Sequence, residues 1–151
     1  MFENKLKELG ITVPDAPKPL ASYVPAVKSG EYVFTSGQLP MLNGVLQFPG
    51  QLGGAVSVEE GRQAARISAI NCLSAIKTVT GTLDAIEQIV KVTVFVSCVP
   101  EFPNQPEVGN GASDLLVDIF GEAGKHSRSA VGVSALPRNA CVEIEMIVKV
   151  K

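Results

Sequence analysis

The chain has 151 residues, 46% apolar and 19% charged, with thirteen Lys and Arg against fifteen Asp and Glu. One domain with ample core is expected, and disordered, collagen-like and disulfide-scaffold classes are excluded. A net charge of −2, 5% aromatics and no tryptophan argue against a nucleic-acid surface, which needs a basic patch and stacking rings.

Cys72, Cys98 and Cys141 are far apart and share no metal-site spacing, so reduced thiols in a cytoplasmic protein are expected. Cys72 reads as helix core and Cys141 as strand packing, neither as a nucleophile. The single histidine, His126, excludes a His-rich metal site and reads as a loop side chain without a role as base. Met1 to Leu9 mixes charged and apolar residues without an apolar h-region, and no stretch approaches the ~20 apolar residues that cross a bilayer. A soluble, cytoplasmic protein without a membrane span is the expectation.

Phe2, Leu6 and Leu9 recur at helical spacing, which predicts a short amphipathic helix before Gly10. Pro14, Pro17 and Pro19 then predict a stiff extended arm, so residues 1–20 are read as helix plus arm and 21–151 as the main domain. Tyr23–Lys28 and Tyr32–Ser36 read as strands about a Ser29-Gly30 turn. Residues 40–56 are loop, with no P-loop signature. Ser57-Val58-Glu59-Glu60 is a capping box, opening a helix that runs to about Thr80 with Gly81 as its stop. Ile70, Leu73 and Ile76 share one face of it.

Ile89–Val96 is predicted as a strand with Val90, Val92, Val94 and Val96 on one face and Lys91, Thr93 and Phe95 on the other. After Pro103 and Pro106 a second helix carries Ala112, Leu115, Leu116, Ile119 and Phe120 as a full apolar stripe, ended by Gly121. Ser127–Ser134 and Cys141–Val150 are the last strands. The order β-β-α-β-α-β-β, with two helices covering one face of a mixed sheet, is an α+β domain.

If the last two strands pair antiparallel, Val131 and Val133 share a face with Val142 and Ile144. Arg128 and Glu143 then fall on the other, non-helical face, opposed or as near neighbours. An arginine with a carboxylate there is a candidate anion site, since guanidinium grips a carboxylate bidentately and the acid can activate water. On pattern alone a solvated ion pair is the commoner outcome of such a pairing.

Several segments occur together in a fixed order: Ala-Ser-Tyr-Val-Pro-Ala-Val from Ala21, Phe-Thr-Ser-Gly-Gln-Leu-Pro from Phe34, and Ile-Val-Lys-Val-Thr-Val-Phe-Val from Ile89. Arg-Ser-Ala-Val-Gly-Val-Ser-Ala-Leu-Pro from Arg128 and Val-Glu-Ile-Glu from Val142 follow. From about Ala21 to Val150 the chain resembles the RidA family (reactive intermediate deaminase A, also called YjgF-type or L-PSP endoribonuclease-like). The resemblance implies a chorismate-mutase-like α+β fold, a homotrimer with clefts between subunits, and no metal or cofactor. It implies hydrolysis of enamine and imine acids such as 2-aminoacrylate and 2-iminopropanoate to 2-oxo acids and ammonia. Carried over by motif, Arg128 clamps the substrate carboxylate and Glu143 positions the water, while Tyr23, Ser36, Gly37, Asn110 and Ala130 line the cleft.

The chain also departs from the family pattern. Ala130 stands where many deaminase members carry cysteine, and Gly124-Lys125-His126-Ser127 replaces a frequent Phe-Pro-Ala. With a longer arm and a longer 40–56 loop, these mark a divergent branch. A carboxylate-binding trimer without catalysis, and an endoribonuclease or translation inhibitor, are the alternatives.

Overall fold

The computed structural model describes residues 1–17 and 22–151. Pro19 of the expected arm, Ala21 of the first family segment and the expected boundary between residues 20 and 21 lie outside the described residues.

Helix α1 spans Phe2–Glu8 and is tied down at its N-terminal end. The Asp84 carboxylate accepts from the Phe2 and Glu3 amides at 2.7 and 3.1 Å, and Glu3 Oε1 accepts from the Leu83 amide at 2.9 Å. These amides have no partner within the helix, so the carboxylate does for them what a capping residue would. The Glu3 amide, and more weakly that of Phe2, hold the Asp84 carboxyl below its ordinary range against a smaller opposing effect of burial. Behind these contacts Leu6 is buried and the Phe2 ring meets Phe120 edge-on, with centroids 4.7 Å apart.

The first hairpin is shorter than its sequence suggests: β1 is Ala26–Ser29 and β2 is Tyr32–Thr35, turning through Gly30 at φ +59°. Tyr23 precedes the strand and is exposed. Within the expected loop, β3 (Met41–Leu42) and β4 (Val45–Leu46) form a small second hairpin. Its turn is Asn43-Gly44, both at positive φ, a two-residue hairpin signal that reading 40–56 as loop passed over.

Helix α2 runs Val58–Thr80 with the capping box complete and Gly81 left-handed at its end, as expected. Leu73 and Ile76 are fully buried and Ile70 packs at the margin; the rest of the stripe is mostly alanine and small polar residues. Helix α3 is Gln105–Phe120, and all five residues of its expected stripe are buried. Among the described residues no helix is long and apolar enough to cross a membrane.

Strand β5 (Ile86–Ser97) is the longest in the sheet. Irregular register around Ile89–Lys91 turns Val90 out of line, so Ile89 rather than Val90 joins Val92, Val94 and Val96 in the core. With β6 (Ser127–Val133) and β7 (Val142–Val150), the sheet order is β1-β2-β7-β5-β6, and α2 and α3 cover one face.

This order overturns the expected β6–β7 pair. Strand β6 pairs parallel with β5, β7 pairs antiparallel with the other edge of β5, and β6 and β7 never touch as a ladder. The cause is α3: a helix joining two strands of one sheet returns the chain in its starting direction, which demands a parallel neighbour. Residues 134–141 then carry the chain across to the far side of β5. Along β7, Val142 and Ile144 share the buried face with Met146 and Val148.

Burial pushes the Cys72 thiol up to about 12 and the Cys141 thiol to about 11, while Cys98 is only part-buried. Thiolate, not thiol, is the reactive form. A disulfide-exchange reagent such as DTNB is therefore expected to titrate one cysteine in the native protein and three in denaturant, and Cys98→Ser should remove the native reaction.

Candidate functional site

Residues opposed across a ladder share a face, and Arg128 opposes Val92, whose side chain lies in the core. Arg128, Ala130 and Gly132 are therefore on the helix-covered side, against α3. Glu143 opposes Phe95 on the other side of β5 and lies on the open face. The shared non-helical face expected from the sequence is wrong: within one chain the two charges sit on opposite faces of the sheet. The antiparallel parity from which that face was deduced does not apply to strands that are not neighbours.

Around Arg128 the structure brings together residues from α3 and from the approach to β6. Arg128 Nη1 donates to Asn110 Oδ1 at 2.8 Å and to Ser113 Oγ at 3.1 Å. Asn110 thus lies beside the arginine. A β-carbon added at Gly109 would stand 3.3 Å from Nη1, so glycine leaves room for the guanidinium to lie along the helix. Arg128 has no acidic partner within ion-pair distance among the described residues, although it is part-buried. A cation partly removed from water with only neutral acceptors is under-compensated, and its free donors favour an anion.

Two residues along β6, Ala130 presents only a methyl group. At Gly132 an added β-carbon would come within 2.8 Å of Cys98 Sγ and 2.9 Å of Gln105 Nε2. The groove beyond the arginine is therefore closed by the Gln105 carboxamide, which donates to the Phe102 carbonyl at 2.7 Å.

The second group forms where the chain leaves β2. Gln38 and Ile144 exchange backbone hydrogen bonds of 2.7 and 3.0 Å, which continues the β2–β7 contact beyond Thr35. Gly37 consequently lies against Glu143, and any β-carbon there would collide with the Glu143 carboxylate. The Ser36 hydroxyl donates to the Val24 carbonyl at 2.6 Å, tying the segment after Tyr23 to the same place. Burial, and secondarily the Glu145 carboxylate, push the Glu143 carboxyl above its usual range. Thus Arg128, Asn110 and Ala130 form one cluster, while Glu143, Gly37, Ser36 and the segment carrying Tyr23 form another.

Sequence reasoning missed Ser113, Gly109 and Gln105, and it set His126 aside, although that ring touches Ser113. Ser113 stands three residues after Asn110 and so shares its helix face, a spacing visible in the sequence. Among the described residues no group of three His, Cys, Asp or Glu side chains is placed to hold a metal ion.

Residues 3–149 match the family model described as "YjgF/chorismate_mutase-like, putative endoribonuclease". Protein TCP17 of Trypanosoma cruzi is 43% identical, over 95% of this chain and 91% of its own. The crystal structure of Atu1372 from Agrobacterium tumefaciens, a protein of unknown function, superposes with a TM-score of 0.92 at 44% identity, covering 99% of this chain and 92% of that one. The 2-iminobutanoate/2-iminopropanoate deaminase of Dermatophagoides farinae is 30% identical over 93% of this chain and 95% of its own. Escherichia coli TdcF with bound serine superposes at 0.64 with 28% identity, covering 90% and 94%. Both the ordered motifs and the sheet order agree with these likenesses, and the chain belongs to the YjgF/RidA family, with the family's chorismate-mutase-like fold.

Proposed function

We propose that the chain hydrolyses small 2-imino and enamine acids to 2-oxo acids and ammonia, in a cleft built where two copies meet. The observation that carries this reading is the division of the charged residues. One face offers a part-buried guanidinium without an acid, and the other offers a carboxylate held at a raised pKa beside a glycine. A substrate of three or four carbons cannot span a sheet, so a site using both needs Arg128 from one copy and Glu143 from another. A closed homotrimer repeats that contact three times. The open face suits such burial: Val27, Phe34 and Val131 are exposed there, around a shallow hollow lined in part by Lys91, Thr93 and Glu145. The deaminase among the relatives and the serine bound to TdcF support a small amino- or imino-acid ligand.

In this cleft Arg128 holds the substrate carboxylate and fixes the imine carbon near Glu143. Glu143 takes a proton from water as the oxygen bonds to that carbon, giving a carbinolamine. The proton then passes to the nitrogen, the C–N bond breaks as the hydroxyl proton returns to Glu143 and from there to water, ammonia leaves and the 2-oxo acid remains. An enamine substrate enters after protonation at C3. Little more than orientation and one proton carrier is required, because an iminium carbon is already electrophilic. A carboxyl with a raised pKa both accepts and returns that proton readily. The family description also names an endoribonuclease, but net charge and ring content offer RNA little.

Hydrolysis of freshly generated 2-aminoacrylate tests the reading directly. Arg128→Ala is expected to lower kcat/KM by roughly a hundredfold or more, as loss of a charge-assisted bidentate contact does; unchanged turnover would sink the carboxylate clamp. Glu143→Gln should lower kcat by about 10²–10⁴. In the parent, activity should fall on acidification through a limb lying above the ordinary carboxylate range, because Glu143 must be ionised to take the proton; a limb at the ordinary position would remove Glu143 from that role. Refolding the two inactive variants together should restore part of the activity, since mixed assemblies contain clefts with both native residues. A site contained within one chain would show no restoration.

A further inference from the structure

Both Nη1 protons of Arg128 are directed at α3, one to Asn110 and one to Ser113. Ser113 Oγ in turn lies 2.9 Å from His126 Nε2, and His126 Nδ1 lies 2.6 Å from the Gly124 carbonyl oxygen. A carbonyl can only accept, so Nδ1 carries the ring proton. In the neutral ring Nε2 is then an acceptor, and the one proton of Ser113 is committed to it. The serine lone pairs are left facing Arg128, whose nitrogens can only donate. The chain of bonds thus runs in a single direction, from Arg128 through Ser113 and His126 to the Gly124 backbone, and contains no acid.

We propose that His126 and Ser113 are positioning residues for the carboxylate clamp: their one-way hydrogen-bond relay occupies Nη1 and turns the Nε–Nη2 edge of Arg128 toward the ligand. The inference rests on the reading of Arg128 as the clamp. A planar carboxylate can pair with guanidinium along either the Nη1–Nη2 end or the Nε–Nη2 side. With Nη1 engaged by α3, only the side remains, which fixes the plane of the carboxylate and hence the direction of the imine carbon. An aspartate in place of Ser113 would also hold Nη1, but it would neutralise the charge that attracts the ligand. The serine–histidine pair holds the guanidinium while leaving that charge available.

His126 is the only histidine in the chain, so its ring nitrogens give unambiguous NMR signals in the full-length protein labelled with 15N-histidine. At a pH where the ring is neutral, the expected spectrum is that of the Nδ1-protonated tautomer. Ser113→Ala should broaden or shift it towards a mixture, and Ser113→Thr should preserve it. With pyruvate as the probe, Ser113→Ala and His126→Gln are expected to weaken binding roughly tenfold to a hundredfold, the effect of one lost hydrogen bond to a charged group. KM should rise by the same factor and kcat should fall as well, because the imine carbon is no longer aimed at Glu143, and Ser113→Thr should bind and turn over like the parent. An Nε2-protonated ring in the parent overturns the relay. Variants that bind pyruvate as tightly as the parent overturn its positioning role. A parent that binds no pyruvate at all overturns the clamp itself, and is thereby distinguished from failure of the relay alone.

Discussion

Strand β5 can have only one parallel neighbour reached through α3, and that constraint decides what the surface of the molecule offers. Once β6 lies parallel to β5, Arg128 must oppose Val92 and point toward the helix layer. The same strand accepts β7 on its other edge, which sends Glu143 to the open face opposite Phe95. No adjustment of side chains reverses this, because a one-residue slip of β7 would turn Val142, Ile144, Met146 and Val148 out of the buried core. The separation of the two charges is thus bound to the stability of the whole domain.

Each of these charges is poorly matched in its own chain. Arg128 meets two neutral oxygens, and Glu143 meets burial and a second carboxylate. A domain selected only for stability would place an acid beside the arginine and leave Glu143 in water. Gly37 sharpens the point, since it is the absence of a side chain there that admits the Glu143 carboxylate to its position. Complementary deficits on opposite faces of one subunit are what a heterologous, ring-closing contact between copies satisfies.

Much of this was written plainly in the sequence. The Ser57 capping box, the Gly81 stop and the stripe from Ala112 to Phe120 are local patterns, and local physics settles them. Alternation along β7 was equally readable, because one face is core. Strand adjacency was not readable in the same way: β6 followed by β7 looks like a hairpin until α3 is seen to require a parallel partner. The ordered motifs pointed to Arg128 and Glu143, and the second helix to Asn110, yet neither gave warning that the residues divide between faces. Ser113 escaped notice because it looks like any helix-surface serine, and His126 was set aside because it looks like any loop histidine. Only the fold brings them within 2.9 Å.

Two of the departures from the family pattern lie beside Arg128, while the longer arm and the longer 40–56 loop flank the segments that carry Tyr23 and Gly37. Gly37 and Glu143 stand as the motifs have them, whereas the approach to β6 brings His126, and Ala130 reduces the next side chain to a methyl group. With Ala130 small and Gly132 bare, β6 itself contributes almost nothing to the groove beyond the arginine. The boundary is set instead by Gln105 and Cys98, and the orientation of the guanidinium by Asn110 and Ser113. Gln105, Asn110 and Ser113 all belong to α3. In this chain it is the helix, more than β6, that surrounds the guanidinium. Under the proposed reaction, changes on that side alter what is held, and a change to Glu143 alters what is done to it.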